Sequence, residues 1–194
     1  MNQRSTILLF LICFISLLSC NHQPKIKTFG FITDRRADKQ RLIKLNSQTS
    51  FSDLGELISE VVCNDSIPMI EIKENRITKH IRIFGDCSTT VHCYTRRNVL
   101  SIKDEQIYLD TIYSLDHLET LVEKHYMNNS KSMYFSKDPY KAFIEISYDK
   151  IGCQNLPKVL DVITDSFDKL NLDVPLVIKL RLPAPPPPSP PLPI

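Results

Sequence analysis

The segment Cys87-Ser-Thr-Thr-Val-His92-Cys93 places two thiols and an imidazole close together in the sequence. Thiolate and imidazole groups bind zinc in proteins, and a cysteine with a histidine in reach is also the pair used in nucleophilic catalysis. The spacing matches no standard zinc motif, and on a strand the adjacent His92 and Cys93 would point to opposite faces. We therefore predict no metal site, no catalytic thiol and no cofactor here.

Another cysteine, Cys20, ends a stretch that has the order of a secretion signal. Arg4 precedes an apolar run over residues 7–18, which is shorter than the roughly 20 residues that a membrane-spanning helix needs. Leu17-Leu18-Ser19-Cys20 resembles the lipobox of bacterial lipoproteins. The resemblance implies cleavage before Cys20, lipidation of its thiol, and an envelope protein that is anchored in a membrane and faces the periplasm. The alternative is an uncleaved membrane anchor.

Four cysteines remain after this segment: Cys63, Cys87, Cys93 and Cys153. In an oxidising envelope, four thiols can form two disulfides in three different pairings. Cys87 and Cys93 are near neighbours in the sequence and can close a small loop. We therefore favour that pair, which leaves Cys63 to bond with Cys153.

Three acidic residues, Asp161, Asp165 and Asp168, follow one side of a predicted helix. Paired carboxylates of this kind can do acid–base chemistry. The other side of the helix carries an apolar stripe, so the favoured interpretation is a solvated helix face. His117 and His125 are too far apart to form a close pair, and no catalytic residue is predicted.

The composition excludes some classes of partner. There are 24 basic and 22 acidic residues, a net charge of +2, and removal of Arg4 with the signal would leave a nearly neutral chain. Without a basic patch, nucleic acid is not an expected partner. Only four glycines occur in the 194 residues, which argues against glycine-rich phosphate loops.

The apolar patterns predict an α+β protein. In the first half, Leu54, Leu57, Ile58 and Val61 recur at helical spacing in a helix over residues 52–63, which Ser50 or Ser52 can cap. The predicted strands of this half are residues 28–33, 67–73, 76–84 and, more weakly, 88–95.

The second half is predicted to follow the order strand, strand, helix, strand, helix, strand, which puts two helices on one face of a small sheet. The first half either extends this sheet or forms a second small α+β lobe. The predicted elements are strands over residues 98–102 and 106–110, a helix over 114–125, a loop over 127–139, a strand over 142–149, a helix over 155–170 and a strand over 174–182.

The final segment, PAPPPPSPPLPI over residues 183–194, is predicted to be extended as polyproline II. Two interpretations are open for this proline-rich tail. It is either a disordered end that forms no core, or an extended ligand that docks on an aromatic groove or reaches across the envelope.

The second half also resembles the periplasmic domain of the ExbD/TolR biopolymer-transport family. Three features carry the resemblance: the hairpin LSIKDEQIYLD at residues 100–110 with the helix that follows, the strand AFIEISYDK at residues 142–150, and a closing strand after the last helix. The resemblance implies no catalytic residue, and a sheet-edge homodimer or a binding surface for a Ton/Tol-type protein or for peptidoglycan. The family's membrane helix carries an acidic residue in the proton path; residues 7–18 have none, so no proton conduction is expected.

These patterns together predict a signal peptide (1–19), a tether (20–27), an N-terminal α+β segment (28–97), an ExbD/TolR-like α+β domain (98–182) and the proline-rich tail (183–194). We expect a lipid-anchored, non-enzymatic protein that binds a partner in an ExbD/TolR-like energy-transduction or transport system, through strand addition at a sheet edge. The alternative is a small secreted α+β enzyme or inhibitor lipoprotein. A pocket with two or three convergent polar groups would favour that alternative.

Overall fold

A computed structural model describes residues 25–31, 39–46, 49–74, 76–85, 87, 95–148 and 154–181. These residues form one mixed nine-stranded sheet with helices packed on it, which confirms the predicted α+β fold class. The predictions that concern Cys20, Cys93, Cys153 and the segment 183–194 lie outside the described residues. Within the described ranges, no helix has the length and apolar character needed to cross a membrane.

Three α-helices lie between groups of strands along the chain. The strands are β1 (Lys25–Phe29), β2 (Gln40–Lys44), β3 (Ile67–Glu74), β4 (Ile77–Phe84), β5 (Val99–Lys103), β6 (Gln106–Tyr108), β7 (Ile112–Ser114), β8 (Phe143–Ser147) and β9 (Ile178–Leu180). The α-helices are α1 (Phe51–Cys63), α2 (Leu118–Tyr126) and α3 (Leu156–Leu170).

The two halves of the chain share this sheet, whose order is β2-β3-β4-β9-β8-β5-β6-β7. Strand β4 joins them. It pairs with antiparallel β3, with parallel β1 over Ile77–Ile81, and with parallel β9 at Ile83 and Phe84. Because β9 also pairs with β8, the first half extends the sheet of the second half.

One face of the sheet forms the core. Successive side chains of a strand point to opposite faces, so neighbours in register share a face. Ile70 lies opposite Ile81, while Ile144 lies between Leu100 and Ile178. All five are buried. The helices cover this apolar face, and the other face of the sheet is hereafter the open face.

Helix α1 begins where the sequence predicts, because Ser50 forms a capping box. The Ser50 hydroxyl accepts a hydrogen bond from the amide of Asp53 at 3.0 Å, and the Asp53 carboxylate accepts one from the amide of Ser50 at 3.3 Å. The predicted buried stripe is wrong at one position. Leu57 is exposed, and Phe51 and Val62 are buried in its place.

Two strands, β2 and β7, are not predicted by the sequence patterns. Strand β7 pairs with β6, with Tyr108 opposite Ile112. The predicted helix over residues 114–125 therefore starts later, at Leu118, after a short 3-10 turn. The predicted hairpin between β5 and β6 is confirmed, with Asp104 and Glu105 both at positive φ in its two-residue turn.

The disulfide joins Cys63 to Cys87, so the favoured pairing of Cys87 with Cys93 and of Cys63 with Cys153 is wrong. The hairpin of β3 and β4 returns the chain to the end of α1. There, a β-carbon added to Gly85 would lie only 2.6 Å from Val62. This close approach brings the Cα atoms of Cys63 and Cys87 to 4.8 Å. Closeness in sequence is therefore a poor guide to pairing here.

Candidate functional site

A cleft of about 760 Å³ lies on the open face. Its floor is a row of side chains that the strand register aligns: Tyr108 of β6 opposite Ser101 of β5, and Ser101 opposite Glu145 of β8. All three line the cleft. They point away from the core because they alternate with buried residues of the same strands.

Three further segments border this cleft. The 3-10 turn Arg96–Asn98 contributes Arg96 and Arg97, and the loop between α2 and β8 contributes Met133 and Tyr134. Arg181, which follows β9, is the third contribution. The cleft is therefore assembled from parts of the chain that are far apart in sequence.

A buried amide shapes the loop that carries Met133 and Tyr134. The Asn128 side chain is 5% exposed. Its Nδ2 donates to the main-chain oxygens of Ser132, Phe135 and Ser136 at 2.9, 3.0 and 2.9 Å, and its Oδ1 accepts from the amide of Ser132 at 2.8 Å. These bonds flank Met133 and Tyr134 on both sides and fix the position of the loop.

Asn98 ties this loop to the turn that carries the arginines. Its Oδ1 accepts from the Ser136 hydroxyl at 3.1 Å. Its main-chain oxygen accepts from Nε2 of His125, at 3.2 Å, in the buried end of α2. The turn with Arg96 and Arg97 and the loop with Met133 and Tyr134 are therefore held by one network.

Each of the two carboxylates in the cleft accepts at least one hydrogen bond. The Glu145 carboxylate accepts from Arg181 at 3.3 Å. The Asp110 carboxylate accepts from the amide of Thr111 and the hydroxyl of Tyr113, each at 3.0 Å, and the second bond raises the pKa of Tyr113.

Two of the hydrogen-bond donors in the cleft have no partner among the described residues. Within the part of the chain that the structure describes, the guanidinium groups of Arg96 and Arg97 have no hydrogen bond or ion pair. Beside these donors lie exposed surfaces of Tyr108, Met133 and Tyr134. The cleft thus offers free hydrogen-bond donors and apolar or aromatic surface.

The described lining contains no cysteine–histidine or serine–histidine pair. None of the described lining residues is a histidine or a cysteine. A serine–histidine contact exists elsewhere, between Ser114 and His117 at 3.2 Å. Both residues are exposed, and Asp116 contacts Ser114 at 3.4 Å rather than orienting the imidazole. This contact lacks the ordered arrangement of a catalytic triad.

His125 makes the folded protein sensitive to acid. Burial lowers its pKa to about 4, although its bond to Asn98 acts in the other direction. The unfolded chain, with a histidine pKa near 6.5, binds a proton that the folded chain does not bind. Stability is therefore lost as the pH falls from about 6.5 to 4, by about 3 kcal/mol for this group.

We expect the H125Q variant, which retains a side-chain donor, to lose most of this acid dependence. The measurement is the free energy of unfolding by urea at pH 7 and pH 4.5. The matched control is H117Q, because His117 is exposed. If H125Q and H117Q depend on pH as the parent protein does, His125 is not the group that titrates.

A second cluster of charges lies between the sheet and α3. Lys79 of β4 shares the apolar face with Ile81 and is 2% exposed. Its ammonium group donates to the carboxylate of Asp161 and, at 2.6 Å, to that of Asp165. Burial alone would lower the pKa of Lys79, but these two carboxylates outweigh burial and raise it.

The predicted solvated face of α3 is wrong only for Asp161, whose side chain is 20% exposed. The side chains of Asp165 and Asp168 are 50% and 48% exposed, and Asp168 contacts Lys27 of β1. The carboxylates of Glu74, Asp161 and Asp165 lie within 4.8 Å of one another, a spacing that would suit a cation. Here Lys79 supplies the positive charge. Lys79 and the three acids form one ion network between the sheet and α3.

Sequence reasoning missed Lys79 and the whole cleft. A lysine at an inward position of an alternating strand is a signal that a buried partner exists, so Lys79 could have been found. No local pattern around Arg96 and Arg97 predicts a binding site, because the other residues of the cleft come from distant segments of the chain. No protein-family model, no curated protein and no solved structure matches the chain.

Proposed function

We propose that this protein is a lipid-anchored, non-enzymatic component of the cell envelope that binds an extended segment of a partner protein in the open-face cleft. The single observation that carries the proposal is the lining of the cleft. Arg96 and Arg97 present free donors beside the rings of Tyr108 and Tyr134, on a sheet face that the helices do not cover. Arginine and tyrosine are among the residue types that dominate binding energy in protein interfaces.

An extended segment fits this lining better than a compact ligand. Extended chains expose their carbonyl oxygens, which guanidinium groups can bind, and their side chains can pack on aromatic rings. The cleft runs across several strands, since it includes residues of β5, β6 and β8. It therefore offers contacts along a length of chain rather than around one small molecule.

Binding at a sheet edge has less support from the geometry. The two ends of the sheet order are β2 and β7. Strand β7 has only three residues, and β2 carries Arg41 and Lys44. Short strands and charged side chains are the usual protection of an edge against further pairing.

A small secreted enzyme or inhibitor is the competing function, and the convergent polar groups that it predicts are present in the cleft. Catalysis also needs a nucleophile with a base in reach, or an acid–base pair. The described lining contains no histidine or cysteine, and the structure gives no hydrogen bond between the Ser101 hydroxyl and the Glu145 carboxylate. The two carboxylates in it, Asp110 and Glu145, are engaged by Tyr113 and Arg181.

The identity of the partner rests on the sequence alone. The ExbD/TolR resemblance favours a Ton/Tol-type protein, and the lipobox at Cys20 favours an anchored chain. Crosslinking of intact cells followed by detergent extraction and mass spectrometry tests both points. In the same cells, incorporation of an alkyne-labelled fatty acid should require Cys20.

We expect R96A/R97A to reduce recovery of the partner by at least about tenfold, because interface arginines often contribute more than 1 kcal/mol each. The matched control is R76A/K124A, which removes the same charge at exposed positions outside the cleft. Equal recovery with both variants would contradict the proposed site. Recovery of peptidoglycan fragments without protein would contradict a protein partner.

A further inference from the structure

The proline-rich tail starts at the cleft. Arg181, the last described residue before it, lines the cleft, and its guanidinium group binds Glu145 on the floor. The chain therefore leaves β9 beside the site. A segment that is tethered next to a binding site has an effective concentration in the millimolar range.

The tail and the cleft have complementary hydrogen-bonding groups. Eight of the residues 183–194 are prolines, and none is charged. Proline has no N–H, so such a segment presents carbonyl acceptors and hardly any donors. In the cleft, the carboxylates of Asp110 and Glu145 each accept a hydrogen bond within the chain, while Arg96 and Arg97 are free donors among the described residues.

The aromatic surface of the cleft completes the match. Polyproline II segments bind grooves that are lined by aromatic side chains, since their rigid form loses little entropy on binding. Tyr108 and Tyr134 are 39% and 45% exposed and supply such a surface.

The tail is also long enough. In the sheet order, β9 is followed by β8, β5 and β6, so the path from Arg181 to Tyr108 crosses three strand spacings, about 14 Å. Polyproline II advances about 3.1 Å per residue, and five residues cover this distance. Residues 184–186 would then lie above β5 and β6, close to Tyr108.

We propose that residues 183–194 occupy the open-face cleft of their own chain, so that a partner segment must displace them. The inference rests on the proposed function, because it assigns a ligand to the same cleft. The tail is then an internal competitor, and partner binding is coupled to its release.

A photo-crosslinker placed on the cleft rim tests this occupancy. In the full anchored chain, Met133 is replaced by p-benzoylphenylalanine, because this side chain is 76% exposed at the cleft. We expect crosslinked peptides that join position 133 to residues 183–194. The control carries the same photo-crosslinker at Leu57, which is exposed on α1, and should give no tail crosslink.

Mixing isotopically light and heavy chains shows whether the crosslinked tail belongs to the same chain as the cleft or to a second copy. Crosslinks within one chain support the proposal, whereas crosslinks only between light and heavy chains would overturn it in favour of a second copy as occupant. Absence of tail crosslinks at position 133, or equal yields at positions 133 and 57, would also overturn it.

A tail variant distinguishes this proposal from the proposed function. Replacing Pro185, Pro186, Pro187 and Pro188 by glycine keeps the length and removes the rigid form. We expect the crosslink yield to fall by about tenfold, and partner recovery to rise. If R96A/R97A abolishes partner recovery while no tail crosslink is ever seen, the tail proposal fails and the proposed function stands. If tail crosslinks form but no partner depends on Arg96 and Arg97, the proposed function fails instead.

Discussion

The double variant D161N/D165N is expected to destabilise the protein by about 3–5 kcal/mol, more than the K79M variant does. The reason is the difference in burial between the two sides of the ion network. Lys79 is 2% exposed, while the side chains of Asp161 and Asp165 are 20% and 50% exposed. The two substitutions leave a buried ammonium group whose two closest partners no longer carry negative charge.

Removing the lysine leaves carboxylates that water can reach, so we expect K79M to cost only about 1–3 kcal/mol. Because the pKa of Lys79 is raised on folding, its stabilising contribution is present below about pH 10 and is lost as the pH rises further. Urea unfolding at pH 7 measures each variant, and a second set at alkaline pH checks the direction.

The combination K79M/D161N/D165N provides the sharpest control. It removes the ammonium group together with both of its close carboxylate partners, and it should recover most of the stability that D161N/D165N loses. D168N is the matched single change on the same helix. Asp168 belongs to a more exposed pair with Lys27, so this variant should cost less than about 1 kcal/mol. If K79M proves more costly than D161N/D165N, burial of the ammonium group does not control the stability of the network.

The N128D variant should be destabilised by about 3–5 kcal/mol at pH 7, although aspartate has the same shape as asparagine. The Nδ2 group of Asn128 donates to three main-chain oxygens. A carboxylate at this place would face those oxygens with negative charge and no proton to donate. Because Asn128 is buried, water cannot compensate.

The neighbouring N129D supplies a control of identical chemistry, since Asn129 is exposed and its positive φ suits asparagine and aspartate alike. It should change the free energy of unfolding by less than about 0.5 kcal/mol. N128D should also impair partner capture in conditions where it stays folded, because Met133 and Tyr134 lose their support. Equal stabilities of N128D and N129D would mean that the loop does not depend on the amide.

Local patterns predict local structure in this chain. The alternation over residues 67–84 predicts β3 and β4, and the hydroxyl of Ser50 predicts the start of α1. The same patterns do not predict β7, because three residues are too few to show a period and its pairing with β6 stabilises it. The exposure of Leu57 shows that helical spacing predicts which side of α1 faces the core, but not which residues at the border of that side are buried.

The site could not be predicted because its parts meet only in the folded chain. Lys79 and Asp161 are separated by 82 residues in the sequence, and their side chains form a hydrogen bond. Ser136 and Asn98, which also form one, are separated by 38 residues. Cys63 and Cys87 are joined because a hairpin returns the chain to α1. Each of these contacts depends on sheet order, which single-sequence patterns leave open.

The position of β9 has a consequence for the time course of folding. Residues 178–180 form a strand between β4 and β8, and they are the last strand of the described chain to be synthesised. Until they arrive, the sheet of the first half has no partner in the second half. This sheet therefore cannot be completed while residues 178–180 are still held in a ribosome or a translocation channel. Contacts between residues far apart in sequence are slow to form. The sheet of the first half therefore stays without its β9 partner until residues 178–180 are released.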